Sequence, residues 1–426
     1  MPNFIDKEEN LENKALLVAV YNRPDERAHC DEMLEELHEL VETAGGEICE
    51  IMPVKIRQLN PKYLVGSGKA EEIIARAREL DANTIIFDDV LSPGQQRNWE
   101  KLSKLLVIDR QEVILEIFSN RASTKEAELQ IELAKAEYML PRLKNAWTHL
   151  DRQKGGVGLR GGEGEKQIEI DGRLLRKSIS KLKQELKSVR KQRAEQRKRR
   201  QKTTIPNAAI VGYTNAGKSM LLNLLTGSKV LVEDKLFATL DPTTRKIVLP
   251  NNQSVLVTDT VGFIRKLPHN LVEAFKATLE EAVLSQFLIH VVDINSSNIE
   301  EYMQTTEDVL AEIGTGKKES ILVFNKVDIA EPYLLRRLRH EYPAAIFMSA
   351  KTGEGLEDLH ERMVDISGES LKEMTLFIPL DKFDVLALIH RVGHVLSEQY
   401  EDDGAYVTAS IPGNCQHELE PFLHEC

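Results

Sequence analysis

The stretch Gly212-Tyr213-Thr214-Asn215-Ala216-Gly217-Lys218-Ser219 limits the possible folds of this chain more than any other, because it fits G-x-x-x-x-G-K-[ST]. A loop of this kind works only where a buried strand feeds the N-terminus of a helix, so that backbone N–H groups and the helix dipole face anionic oxygens. Both neighbours are present. Ala208 to Val211 reads as the strand, and Leu221 to Leu225 continues as the helix. Lys218 reaches β and γ oxygens, and the Ser219 hydroxyl is a Mg²⁺ ligand. The implied fold is α/β with a parallel sheet, and the implied ligand is a nucleoside triphosphate.

Three later motifs narrow the ligand. Asp259-Thr260-Val261-Gly262 follows the apolar Val255 to Val257, which puts Asp259 at a strand end for a water-mediated Mg²⁺ contact and lets the Gly262 N–H approach a γ-phosphate. Ser320 to Phe324 ends in Asn325-Lys326-Val327-Asp328, where the Asp328 carboxylate accepts from guanine N1–H and N2–H₂. Adenine has no such donors at those positions, so GTP is expected over ATP. Ala345 to Met348 then runs into Ser349-Ala350-Lys351, a backbone N–H for guanine O6 and a lysine to cover the ring.

With these motifs in order, the chain resembles the HflX family of the Obg–HflX group of translation-factor-like GTPases. The resemblance implies that Phe237-Ala238-Thr239-Leu240-Asp241, continuing to Arg245, is the first switch. It assigns Thr239 to Mg²⁺ and the γ-phosphate, a choice that the residues alone leave open among Thr239, Thr243 and Thr244. Lys218, Thr239 and Gly262 are then the expected catalytic groups. Phe263 stands where Ras-like enzymes carry a glutamine that orients water, so slow intrinsic turnover and stimulation by a partner are expected. Asn215 occupies the position at which potassium-dependent GTPases of the tRNA-modifying type carry asparagine. K⁺ binding there and simple shaping of the loop are both open readings.

At 426 residues the chain needs more than one core, and two to four domains are expected. No apolar run reaches the roughly eighteen residues a membrane span requires, and the first ten residues lack a secretory pattern. Cys30, Cys49, Cys415 and Cys426 lie far apart without C-x-x-C spacing, which excludes a zinc or disulfide framework and fits a reducing cytoplasm. Net charge is −12, yet Arg173 to Lys202 holds fourteen Lys or Arg against Glu185 and Glu195. That run, with Arg173, Arg176 and Lys177 at its head, suits a phosphate-rich partner bound in a salt-dependent way.

Ahead of the loop, Ala15 to Val20, Thr84 to Phe87 and Leu105 to Ile108 read as strands, and Asp31 to Val41 and Ala70 to Leu80 as helices. Gly66-Ser-Gly-Lys69 lacks the first glycine and the Mg²⁺ ligand of a phosphate loop and reads as a structural turn. Heptads at Leu129, Leu133, Ala136, Leu140, Leu143, Trp147 and Leu150, then at Leu175, Ile179, Leu182, Leu186 and Val189, predict an antiparallel helical hairpin with a kink at Pro141. Gly155 to Lys166 holds six glycines, more than a hairpin turn needs. Close backbone approach at Gly155 and Gly156, with Arg152, Lys154 and Arg160, reads as an RNA-probing tip. The family carries a similar Gly-rich segment, although Arg160-Gly-Gly-Glu-Gly-Glu165 is one residue longer and Lys166 stands where a small hydroxyl residue is common.

The expected architecture is a small parallel α/β subdomain (1–125), a basic hairpin (126–202), a P-loop GTPase domain (203–368) and a small α/β C-terminal domain (369–426). In the last, Met374 to Pro379 and Ala405 to Ile411 read as strands and Asp384 to Leu396 as a helix, with acidic Glu398 to Asp403 better suited to a protein surface than to RNA. The resemblance implies a cytoplasmic, monomeric GTPase using Mg²⁺. It implies binding to the large (50S) ribosomal subunit and 23S rRNA, not DNA, and splitting of stalled 70S ribosomes under stress. A tRNA-modifying GTPase and a signalling switch acting on a protein partner are the alternatives.

Overall fold

The computed structural model describes residues 14–146, 161–200, 205–227, 235–251, 253–266, 279, 281–315, 318–368, 371–401, 403–412, 416 and 419–424. Two compact units result: Met1–Lys191 with Glu233–Asp241 and Lys266–Ala277, and Gln192–Val232 with Pro242–Arg265 and Thr278–Cys426.

In the first unit, β1 (Lys14–Tyr21), β2 (Glu47–Lys55), β3 (Thr84–Phe87) and β4 (Leu106–Asp109) form a parallel sheet in the order β2-β1-β3-β4. β1 is apolar along nearly its whole length because a parallel strand covered on both faces has no polar side, and Leu16, Leu17 and Val18 are fully buried. Helix α1 (Arg27–Ala44) lays Met33, Leu34, Leu37, Leu40 and Val41 on the sheet and stops at left-handed Gly45. Helix α2 (Ser67–Glu79) starts at Gly66, so the predicted turn at 66–69 is instead the first turn of a helix. Helix α3 (Pro93–Ser103) opens with Pro93 behind a reciprocal Ser92–Gln95 capping box, and α4 (Arg110–Arg121) is capped by Asp109. Sequence reading missed β2. It is an edge strand whose Glu-Ile-Cys-Glu pattern shows little alternation, and it holds Pro53, which an edge tolerates.

The hairpin consists of α5 (Lys125–Ala146) and α6 (Gly161–Arg200). Leu129, Leu182 and Leu186 make its buried seam, with Leu133 and Val189 beside them and a 2.8 Å Glu137–Lys183 ion pair at its margin. Each buried leucine contributes roughly 1.5–3 kcal/mol. Helix α5 contains Pro141 within its length. One expectation is corrected: α6 begins at Gly161, so the second half of the glycine-rich stretch is helical. Adding residues to an existing long helix needs no new nucleus. Trp147, Leu150, Arg152, Lys154, Gly155, Gly156 and Arg160 lie outside the described residues.

In the second unit, six strands run in the order β10-β9-β8-β5-β7-β6: β5 (Asn207–Gly212), β6 (Thr243–Val248), β7 (Ser254–Asp259), β8 (Phe287–Asp293), β9 (Ser320–Asn325) and β10 (Ile346–Phe347). All pairings are parallel except β6 with β7. Helices α7 (Lys218–Thr226), α8 (Ile299–Glu312), α9 (Pro332–Glu341) and α10 (Leu356–Gly368) follow the strands. The core joins Ile210, Leu221, Val257, Ile289, Val291 and Val323.

The C-terminal part is an antiparallel sheet in the order β11-β13-β12, with α11 (Phe383–Val392) on it. Its strands are β11 (Leu371–Pro379), β12 (His394–Glu401) and β13 (Gly404–Pro412). The helix expected to reach Leu396 therefore ends four residues early. Gly393 breaks it, and His394 onward pairs with β13. The acidic Glu398 consequently lies on a strand.

Candidate functional site

The site forms at the carboxyl ends of β5, β7 and β9. Lys218, the first residue of α7, is buried, and its ammonium donates to the Tyr213 carbonyl at 2.7 Å. Desolvation pulls its pKa down to about 8, against a smaller upward pull from Asp259. Beneath it on β8, buried His290 is held neutral: burial first, then the Lys218 charge, lowers its pKa to about 4. The His290 Nε2 and Thr214 Oγ1 atoms are buried and have no hydrogen-bond partner among the described residues.

Ser219 and Asp259 meet, the hydroxyl donating to the carboxylate at 2.6 Å. A hydroxyl ligand with a carboxylate beside it for a water-mediated contact, at a phosphate loop, fits Mg²⁺. Thr260 donates to the Ile210 carbonyl at 2.7 Å, and Val261 is buried. Gly262 has no room for a side chain, since a Cβ there would lie 2.8 Å from Thr214 Cα and 2.9 Å from Lys218 Nζ. Phe263 is fully buried and pairs its backbone with the loop. Asn215 is exposed with φ of 60°.

The base motifs converge on the same loop. The Asn325 amide donates to the Ala216 carbonyl at 2.9 Å while its oxygen accepts from the Ala350 N–H at 2.9 Å, tying three sequence motifs together. That close passage also explains Gly217, which sits at φ 91° and whose Cβ would fall 2.2 Å from the Asn325 amide nitrogen. Asp328 accepts from the Ser349 hydroxyl at 2.7 Å. Lys326 takes the left-handed conformation and pairs with Asp293 at 2.7 Å. Val327 is buried, donating its N–H to Met348, and Lys351 is exposed.

The remaining predicted residues are placed differently. Phe237 to Asp241 belongs to the first unit. Phe237 packs edge-on against Phe118 with ring centres 4.5 Å apart, and Leu240 is buried. The Asp241 carboxylate accepts from the amides and hydroxyls of Ser123 and Thr124, just ahead of α5. Ala238 and Thr239, between them, are half-buried. Thr243 and Thr244 start β6, where Thr244 shares a hydrogen bond with Thr258. Arg173, Arg176 and Lys177 are exposed on α6. Sequence reasoning missed His290, Asp293, Arg265 and Tyr302, because nothing in their local pattern announces partners that only the fold supplies.

Residues 207–326 match the model described as "50S ribosome-binding GTPase", 31–119 "GTP-binding GTPase N-terminal" and 121–200 "GTP-binding GTPase Middle Region". GTPase HflX of Akkermansia muciniphila is 47% identical over 98% of each chain. The chain belongs to the HflX family of GTPases. GTPase HflX of Escherichia coli is 41% identical over 92% of each chain. A solved GTP-binding protein of Sulfolobus solfataricus, in complex with GDP, is 28% identical over 84% of this chain and 99% of its own, with a TM-score of 0.44. As an HflX-family GTPase, the protein hydrolyses GTP to GDP and phosphate. Among the described residues, no helix is long and apolar enough to cross a membrane.

Proposed function

We propose that this HflX-family chain is a cytoplasmic, monomeric GTP-driven switch that binds the 50S subunit through 23S rRNA and splits stalled 70S ribosomes, GTP hydrolysis permitting its release. The observation that carries this reading is the long helix α6 with Arg173, Arg176 and Lys177 exposed, in a chain that is otherwise strongly acidic. Concentrated positive charge on one element suits a phosphate backbone. The 50S wording of the matched family model supports the same partner. Arg152, Lys154, Gly155, Gly156 and Arg160 complete the RNA-contacting tip.

Within the site, Ser219 and Thr239 from the first switch would hold Mg²⁺, with Asp259 contacting it through water, and the metal would supply positive charge against the phosphates. Lys218 meets the phosphate charge, aided by the loop amides from Tyr213 to Gly217. The Gly262 N–H faces the γ-phosphate. Asp328 reads the guanine N1–H and N2–H₂, a backbone N–H of the Ser349 to Lys351 segment meets O6, and Asn325 holds these loops in register. Phe263 offers no polar group to orient water, so intrinsic turnover is slow and the ribosome stimulates it. K⁺ held at Asn215 would add positive charge beside the phosphates. Turnover would then be faster in KCl than in NaCl of equal ionic strength.

Sucrose-gradient sedimentation of 70S ribosomes with this protein and a non-hydrolysable GTP analogue tests the reading. Loss of the 70S peak with the protein cosedimenting at 50S is expected. An unchanged 70S peak and no cosedimenting protein overturns it.

A further inference from the structure

The tight seat of Gly262 bears on which nucleotide the loop prefers. A methyl group on Gly262 would already lie under 3 Å from Thr214 and from Lys218 Nζ. A phosphoryl group is larger than a methyl, so with Gly262 this close to Thr214 and Lys218 no γ-phosphate fits between them. Two backbone bonds keep it there. The Phe263 N–H donates to the Gly212 carbonyl at 3.1 Å, and the Thr214 N–H donates to the Phe263 carbonyl at 2.8 Å, which commits a loop amide to the protein itself.

Side chains reinforce this backbone zipper. The Arg265 N–H donates to the Tyr213 hydroxyl at 2.8 Å. The Tyr213 ring lies flat on Tyr302 of α8, centroids 4.1 Å apart and planes 5° from parallel. Above Tyr302, the buried Arg265 guanidinium stands 4.9 Å from the ring centre and pairs with Glu301 at 3.3 Å. Loop, post-Gly262 segment and α8 are thus fastened at one point.

We propose that Tyr302, Glu301 and Arg265 form a clasp that sets the preference between GDP and GTP by holding Gly262 too close to Thr214 and Lys218 for a γ-phosphate to fit. These are positioning residues and touch no phosphate themselves. GDP lacks the third phosphate and binds with the clasp shut. GTP binds only the fraction of molecules whose clasp is open, so its apparent affinity falls by that fraction. Loosening the clasp therefore tightens GTP and leaves GDP alone.

Calorimetric titration of the full chain with GDP and with a non-hydrolysable GTP analogue, at fixed Mg²⁺, tests this. In Tyr302→Leu, which removes the stacked ring, the analogue should gain about five- to tenfold over GDP, whereas Tyr302→Phe should stay within about twofold of wild type. Glu301→Gln leaves every ring in place, should shift the ratio the same way by about threefold, and carries the test if Tyr302→Leu does not fold. A ratio unchanged in Glu301→Gln and in any folded Tyr302→Leu, or one that moves towards GDP, overturns the proposal. A purely structural role would weaken both nucleotides together. None of these readouts involves the ribosome.

Discussion

Each unit buries a polar centre, and the two are built on opposite terms. In the first unit, Arg110 is 1% exposed and lies between Asp88, at 2.7 Å, and Glu36. Lys266 adds a second cation to Asp88 and reaches Asp89 at 3.3 Å. Protein charges meet protein charges. In the second unit, Lys218 is buried against a backbone carbonyl, its charge made costly by desolvation, with two buried polar atoms nearby that no described residue satisfies. A centre that closes on itself holds a fold together, and one left in deficit suits a ligand that brings the missing charge.

The largest test of this contrast falls on the closed centre. Arg110→Ala takes one cation away from two buried carboxylates, leaving Asp88 with Lys266, and should cost about 3–5 kcal/mol, read as a lower urea midpoint for the first unit. Turnover of GTP per folded molecule should change little. A variant as stable as wild type would show that the carboxylates find other partners, and the contrast would fail on that side.

The mirror test comes next. Lys218→Ala should cut kcat/KM for GTP by roughly 10²–10³, the scale seen when one preorganised donor is lost. Its urea midpoint should hold or rise, because a desolvated ammonium is removed. If Lys218→Ala unfolded the protein as readily as Arg110→Ala, Lys218 would be a structural cation and the distinction between the centres would collapse.

How much of each centre was legible follows the same divide. Lys218, Ser219, Asp259, Asn325 and Asp328 stand in contiguous motifs, because a phosphate loop and a strand-end base contact each need several adjacent residues, and the structure gathers them as their order suggested. Glu36, Asp88, Arg110 and Lys266 carry no local signal. They are spread over 230 positions and become neighbours only when β3, α1 and α4 pack. Phe237 and Asp241 fall between the two cases. Their segment is recognisable, but its bonds to Phe118, Ser123 and Thr124 are tertiary. The same reasoning explains β2 and β12, whose pairing partners, and not their own alternation, make them strands.

The smallest effect concerns a second polar cluster of the first unit. The Tyr138 hydroxyl donates to Asp109 at 3.0 Å and lies 3.3 Å from a Glu112 oxygen, while Arg142 pairs with Asp109 at 3.3 Å. One cation thus serves two carboxylates. Burial first, and the Asp109 charge second, push the Glu112 pKa up to about 7. Because the folded value lies above the unfolded one, the folded state holds a proton that the unfolded state has lost. This contribution to stability is complete below the ordinary glutamate range and disappears as pH rises through about 7. Glu112→Gln makes the neutral form permanent. Its Tm should match wild type near pH 5 and exceed it by about 2–4 °C at pH 8, the shift expected for about 1 kcal/mol in a unit of this size. Parallel Tm curves for the two proteins between pH 5 and 8 would mean that Arg142 neutralises both carboxylates, and this cluster too would be closed on itself.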